Sequence, residues 1–233
     1  MTLELKLEIA PDRAEAERRV GSLVAARASE AIAGRGWFSV ALSKAPTVML
    51  EALVKGDPRW ETTDVFQVDE RAALAGGPDR NLTAILAVLP PEAMGSLHPM
   101  PVEAPDLEDA ARLYEVELPE ALDLVHLGLG TDGHTASLVP GDPVLDVRDR
   151  LVVVTGEYVG FRRMTLTYPT LDAAREIVWL VTGEEKREAL AELLDRDESI
   201  PAARISNPNQ LVVADRAAAP KKAAGGHRAP ASS

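Results

Sequence analysis

Leu3, Leu5, Leu7 and Ile9 alternate with Glu4, Lys6 and Glu8, the period-two pattern of a strand with one buried face. Asp12 follows at an N-cap position. The Ala- and Arg-rich run behind it, to about Ala33, reads as a helix ended by Gly34 and Gly36. Short apolar runs at 37–42, 64–68, 122–129, 151–155, 177–182 and 211–214 predict further strands. The segment 163–167 reads as strand or turn, and 43–47 as a turn. Helical patterns fall at 48–54, 81–89, 107–118, 170–175 and 184–194, and a helix is also expected after the glycine-rich turn that follows 122–129. The segment 90–105 is loop-like. Strands alternating with helices predict the α/β class: a three-layer sandwich with a mostly parallel, Rossmann-like sheet flanked by helices.

No linker divides this pattern, so one domain is expected over 1–219. From Ala217 the composition turns to Ala, Pro, Gly, Ser and Lys, and a disordered tail is expected over 220–233. Hydrophobic residues make up 46% of the 233 positions and aromatics only 4%, so the core must be built from Leu, Val, Ala and Ile. The formal net charge of -12 argues against a nucleic-acid partner. With no cysteine, disulfides, thiolate catalysis and Cys-based metal sites are excluded. No apolar run reaches the roughly 18 residues of a membrane helix, and the first residues show no signal-peptide pattern. A cytoplasmic protein that uses no membrane is the expectation.

Four polar clusters follow predicted strands: Ser43-Lys44-Ala45-Pro46-Thr47, Asp69-Glu70-Arg71, Asp132-Gly133-His134 and Thr182-Gly183-Glu184-Glu185-Lys186. In a parallel sheet all strand C-termini share one edge, so the clusters are expected to converge there. The third cluster, with the glycine-rich turn that leads into it, is the most informative. In Leu127-Gly128-Leu129-Gly130-Thr131-Asp132-Gly133-His134, glycines permit close approach to a ligand. His134 is a candidate general base, since an imidazole transfers protons near neutral pH, and Asp132 could orient it or serve only loop amides. Arg71 could meet an oxyanion or form a surface ion pair. Lys186, at a helix start, suits a phosphate, but taken alone it reads first as a solvated surface lysine. Arg162 and Arg163 add positive charge. Of the other histidines, His126 is expected as a hydrogen-bonded core residue, His98 lies in a Pro-rich loop and His227 in the tail. No HxH or HExxH spacing appears, so no metal site is expected.

Taken together, the segments 65–71, 98–101, 127–141, 163–167 and 180–190, with Asn81 and Pro169, resemble the 6-phosphogluconolactonases of the pentose phosphate pathway, within the glucosamine/galactosamine-6-phosphate isomerase superfamily. The likeness runs to about Ala219, and 127–141 is its most specific part. It implies an α/β sandwich shared with glucosamine-6-phosphate deaminases and ribose-5-phosphate isomerases. It also implies hydrolysis of 6-phospho-D-glucono-1,5-lactone to 6-phosphogluconate with no cofactor. The partner is then a small phosphosugar lactone, and the protein a monomer or small homo-oligomer. By resemblance His134 is the base that activates water, Asp132 its pocket neighbour and Arg71 the arginine beside the reacting carbonyl. Lys186 and Arg163 resemble phosphate ligands, and Ser43, Lys44, Thr47, Asp69 and Asn81 complete the expected substrate-binding set. The family's loop after the second strand usually carries two glycines. Ser43 to Thr47 has none, so fewer backbone amides are expected around the phosphate. The proline that usually follows the arginine is also missing. An isomerase or deaminase using Asp69 or Glu70, and a non-catalytic phosphosugar-binding protein, are the alternatives.

Overall fold

Strands and helices alternate as the hydrophobic pattern predicts. The computed structural model describes residues 5–220. In chain order these form β1 (Lys6–Ala10), α1 (Arg13–Arg35), β2 (Phe38–Leu42), α2 (Thr47–Lys55), β3 (Thr63–Gln67), β4 (Asp69–Arg71), α3 (Asn81–Leu86) and β5 (Leu97–His98). There follow α4 (Leu107–Glu117), β6 (Leu124–Gly128), β7 (Val152–Val154), β8 (Arg163–Leu166), α5 (Tyr168–Ala173), β9 (Ile177–Val181), α6 (Arg187–Leu194) and β10 (Gln210–Asp215). Seven strands make one parallel sheet in the order β1-β10-β9-β6-β2-β3-β5, and β4-β8-β7 make a small antiparallel sheet.

The strands read as apolar runs because both faces of the large sheet are covered. Side chains alternate between two cores. Val40, Leu42, Val65, Leu124, Val178 and Val213 face α1 and α2. Ala41, Phe66, Val125, Leu127, Trp179 and Val212 face α4, α5, α6 and the small sheet. Helix α1 starts where the Asp12 carboxylate accepts the Glu15 N–H at 2.9 Å and ends at Gly36, in the left-handed region at φ 88°. Its buried stripe, Ala16, Val20, Val24, Ala28 and Ile32, recurs every four positions. Gly21 lets α2 come close: a Cβ there would overlap the Met49 carbonyl oxygen and lie 2.8 Å from Ala52 Cβ. Among the described residues no helix is long and apolar enough to cross a membrane.

Several expectations are corrected. Strand β1 is the sheet's outer edge, so its alternation does not bury a face; Leu7 and Ile9 remain 37% and 49% exposed. No helix follows the glycine-rich turn. Thr135 and Leu138 form an isolated bridge, and Ala136 sits at φ 52°, which breaks helical continuity. The helix expected at 184–194 is a 3-10 turn, Glu184–Lys186, followed by α6. Within 90–105 lie another 3-10 turn, Pro91–Ser96, and the edge strand β5, which puts His98 on the sheet. His126 is a core residue but not a hydrogen-bonded one: both ring nitrogens are buried without a partner. Ala217 to Ala219 belong to the fold, since the Ala218 N–H donates to Asp215 Oδ1 at 2.8 Å and Ala218 is fully buried. The remainder of the expected tail, from 221 on, lies outside the described residues, as does Leu3 of the first strand pattern.

Candidate active site

Strands β2 and β6 are neighbours. The chain runs from β2 toward β3 and β5 on one side, and from β6 toward β9 and β10 on the other. Connections that diverge in this way leave a crevice beyond the strand C-termini. A cavity of about 170 Å³ lies there. After β2 come Ser43 and Lys44; β4 and α3 bring Asp69, Arg71 and Asn81. The turn after β6 brings Gly128 to Gly130, His134 and Ala136, and Arg163 on β8 and Lys186 complete the wall. All four polar clusters therefore reach one rim. A larger groove of about 740 Å³ between α1 and α2 is lined by small side chains such as Ala25, Ala26 and Ala52, and holds no histidine.

The polar turn is arranged around His134. Its Nδ1 lies 2.6 Å from Asp132 Oδ1, which also accepts the His134 backbone N–H at 3.2 Å. A carboxylate only accepts, so Nδ1 carries the ring proton and Nε2 is left as the basic nitrogen. Gly130 makes this contact feasible. A Cβ at that position would overlap the His134 ring and lie 2.5 Å from Asp132 Oδ1. The Gly130 N–H donates to the His134 carbonyl at 2.7 Å, closing the turn. Burial alone raises the Asp132 carboxyl, but the His134 hydrogen bond and charge and the Tyr158 hydroxyl, 3.0 Å from Oδ2, outweigh it and hold the group below its ordinary range.

Asp69 is buried. Ser137 Oγ donates to its Oδ2 at 2.7 Å and Ser43 Oγ reaches Oδ1 at 3.5 Å. Burial pushes its carboxyl up, against the Ser137 hydrogen bond and the Arg163 charge. Asn81 Nδ2 donates to the Asp69 carbonyl at 2.9 Å, so this side chain holds the wall. Glu70 faces away from the cavity. Its oxygens accept the N–H groups of Arg71, Asn81 and Leu82 and the Gln67 amide, all within 2.7–2.9 Å. Of the two carboxylates considered for proton transfer, only Asp69 lines the cavity.

The cations come from four separate elements. Arg71 Nη1 donates to the Asp79 carbonyl at 3.2 Å. Arg163 is buried, and its Nε has no partner. Burial, and then the neighbouring Arg71 charge, push its guanidinium below its usual range. Lys186 is half-buried on the 3-10 turn, and Lys44 is exposed on the loop after β2. Only residues 43–46 separate β2 from α2, and Pro46 has no N–H to offer. Thr47 is not in the cavity wall; it opens α2 and is exposed. Arg162, next to Arg163, points to solvent and pairs with Glu108 at 3.2 Å. Sequence reasoning missed Ser137 and Tyr158, neither of which belongs to a polar cluster at a strand end. Among the described residues, no three His, Asp or Glu side chains converge as metal ligands.

Comparison with known proteins gives the chain a family. The family model described as glucosamine-6-phosphate isomerases/6-phosphogluconolactonase matches residues 11–214. A protein of Synechocystis named 6-phosphogluconolactonase is 41% identical over 209 residues, spanning 81% of this chain and 86% of that relative. One of Nostoc with the same name is 36% identical over 205 residues, spanning 80% and 84%. The crystal structure of 6-phosphogluconolactonase from Thermotoga maritima superposes with a TM-score of 0.80 at 25% identity, covering 91% of this chain and 99% of that one. The cavity sits at the sheet's switch point and the matched region includes every residue of its wall, so the chain belongs to the glucosamine-6-phosphate isomerase/6-phosphogluconolactonase family.

Proposed function

We propose that the chain hydrolyses 6-phospho-D-glucono-1,5-lactone to 6-phosphogluconate in the pentose phosphate pathway, the activity its relatives are named for. One observation carries this reading. An imidazole whose Nδ1 is held by a carboxylate faces a cavity whose wall carries four cations, Lys44, Arg71, Arg163 and Lys186, against the single carboxyl of Asp69, in a protein of formal net charge -12. That local reversal of sign suits a phosphosugar. The partnerless Arg163 Nε supports the same view, because a buried unsatisfied donor costs free energy that an anion would recover.

In this reading Lys186 and Arg163 hold the phosphate and set C1 of the lactone near His134. Water attacks the carbonyl as Nε2 takes its proton. Arg71, or a backbone N–H, meets the charge that builds on the carbonyl oxygen. His134 then returns the proton to the ring oxygen as the ring opens. Asp132 keeps the ring in one tautomer throughout. Ser43 and Asn81 are assigned to the wall around Asp69, and Lys44 to the phosphate end. Thr47 is left without a role. The reading places the protein in the cytoplasm as a monomer or small homo-oligomer, which fractionation and light scattering test.

The buried Asp69 favours one other reading, since a carboxyl raised by burial could move a proton between C1 and C2 in an isomerase or deaminase. Freshly generated lactone, corrected for its spontaneous opening, separates the two. Hydrolysis that falls by about 10²–10⁴ in His134→Ala, with phosphosugar binding retained, is the expected result. Wild-type turnover in that variant removes His134 from the reaction, and isomerisation without hydrolysis selects the other chemistry.

A further inference from the structure

Between β7 and β8 the chain makes a two-residue hairpin. Tyr158 and Phe161 exchange backbone hydrogen bonds at 3.0 and 3.3 Å, and the residues between them, Val159 and Gly160, sit at φ 50° and 79°. Left-handed backbone at both central positions is the geometry of a type I′ turn, which Asn and Gly adopt readily and a β-branched residue resists. Val159 is 73% exposed, so no packing of its own side chain explains the conformation. The turn's effect is on Tyr158.

Beyond its turn hydrogen bonds with Phe161, Tyr158 makes four contacts, all of them to Asp132, His134 or Arg163. Its hydroxyl donates to Asp132 Oδ2 at 3.0 Å, on the side of the carboxylate away from His134. Its ring meets the His134 ring edge to face, with centroids 5.6 Å apart and planes at 65°. Its other neighbour is Arg163, whose guanidinium carbon lies 5.0 Å from the ring centroid. The Tyr158 carbonyl accepts from Arg163 Nη2 at 3.3 Å. The residue thus spans the imidazole–carboxylate pair and the buried guanidinium, which come from separate elements and make no hydrogen bond to each other.

We propose that Tyr158 is a positioning residue for lactone hydrolysis. Its hydroxyl locks Asp132, and through it the His134 ring, while its ring and carbonyl fix Arg163 at the distance one substrate requires. The inference rests on the reading of His134 as base and Arg163 as anion ligand. The hydroxyl stays protonated for this duty, because burial and then the Asp132 carboxylate push it above its ordinary range.

Two variants separate the two halves of the role. Tyr158→Phe keeps the ring and the carbonyl and loses only the hydroxyl. It is expected to lower kcat about tenfold, the loss of one hydrogen bond to a charged group, with KM near wild type. Without that donor the Asp132 carboxylate holds its charge more fully toward His134, so the acidic limb of the kcat/KM profile moves to higher pH. Tyr158→Leu also removes the ring from Arg163, leaving only the backbone carbonyl to hold it, and is expected to raise KM severalfold beyond Tyr158→Phe. Thermal melts establish that both variants fold. A Tyr158→Phe enzyme with wild-type kcat and an unmoved kcat/KM profile overturns the proposal while leaving His134 as base. Retained turnover in His134→Ala overturns both.

Discussion

Gly130 is where a missing side chain does most for the chemistry. Asp132 and His134 are two positions apart, and their side chains meet only because the turn folds back over a residue without a Cβ. Gly130→Ala is therefore expected to push the imidazole off Asp132. Turnover should fall by at least tenfold with a smaller change in KM, since Lys186 and Arg163 lie on other elements; steady-state kinetics on the fresh lactone checks this. At this scale the sequence was informative where chemistry is consecutive. Asp132, His134 and Arg71 stand out in short polar runs after apolar ones. Ser137 and Tyr158 do not, because their roles exist only once Asp69 and Asp132 have been brought to them by chain separated by 68 and 26 positions.

Elements buried on both faces were the most legible. Strands β2, β6 and β9 carry nothing but buried or nearly buried residues and read as apolar runs interrupted only by Ser39 and His126. The small sheet was hidden for the opposite reason. Its β4 is Asp69-Glu70-Arg71, three charged residues whose pairing with β8 no hydrophobic pattern announces. The missing helix after His134 has a similar origin: Thr135 Oγ1 bonds back to the Gly128 carbonyl at 2.9 Å, and the Ser137 N–H donates to Thr165 Oγ1 at 3.1 Å. These side chains and their partners compete with helical hydrogen bonding. The α1–α2 contact gives an element-scale prediction. Gly21→Val forces a branched side chain against the Met49 carbonyl. It should cost about 1–3 kcal/mol or more, seen as a lower Tm, while the distant cavity keeps its KM if the protein remains folded.

Across the whole molecule, one buried imidazole sets how stability responds to acid. His126 is enclosed among β2, β6 and β9, next to Leu42 and Val178 in register, and burial lowers its pKa to about 4. The unfolded chain takes up a proton near pH 6.5, whereas the folded one does not until about 4. Stability is therefore full above pH 6.5, falls as pH drops through that window, and has lost about 3 kcal/mol from this group by pH 4. His126→Leu removes that slope in denaturant titrations across pH 4–7 and also removes two unpartnered polar atoms from the core. An unchanged slope would show that other groups govern acid unfolding. At this scale the sequence reading succeeded because a parallel sheet puts every strand C-terminus on one rim, whatever the strand order.

The order itself has a further consequence. Lys6–Ala10 finds its neighbour in Gln210–Asp215, about two hundred residues later in the chain. A ribosome making this protein extrudes that outer strand long before its partner exists, and the closing strand must then slot between two others already waiting. The oldest backbone edge is the last to be satisfied, so translation that halts before residue 210 releases chains in which Lys6–Ala10 is unpaired and the neighbouring side of Ile177–Val181 is bare, two edges that the complete sheet covers and through which proteins adhere to one another.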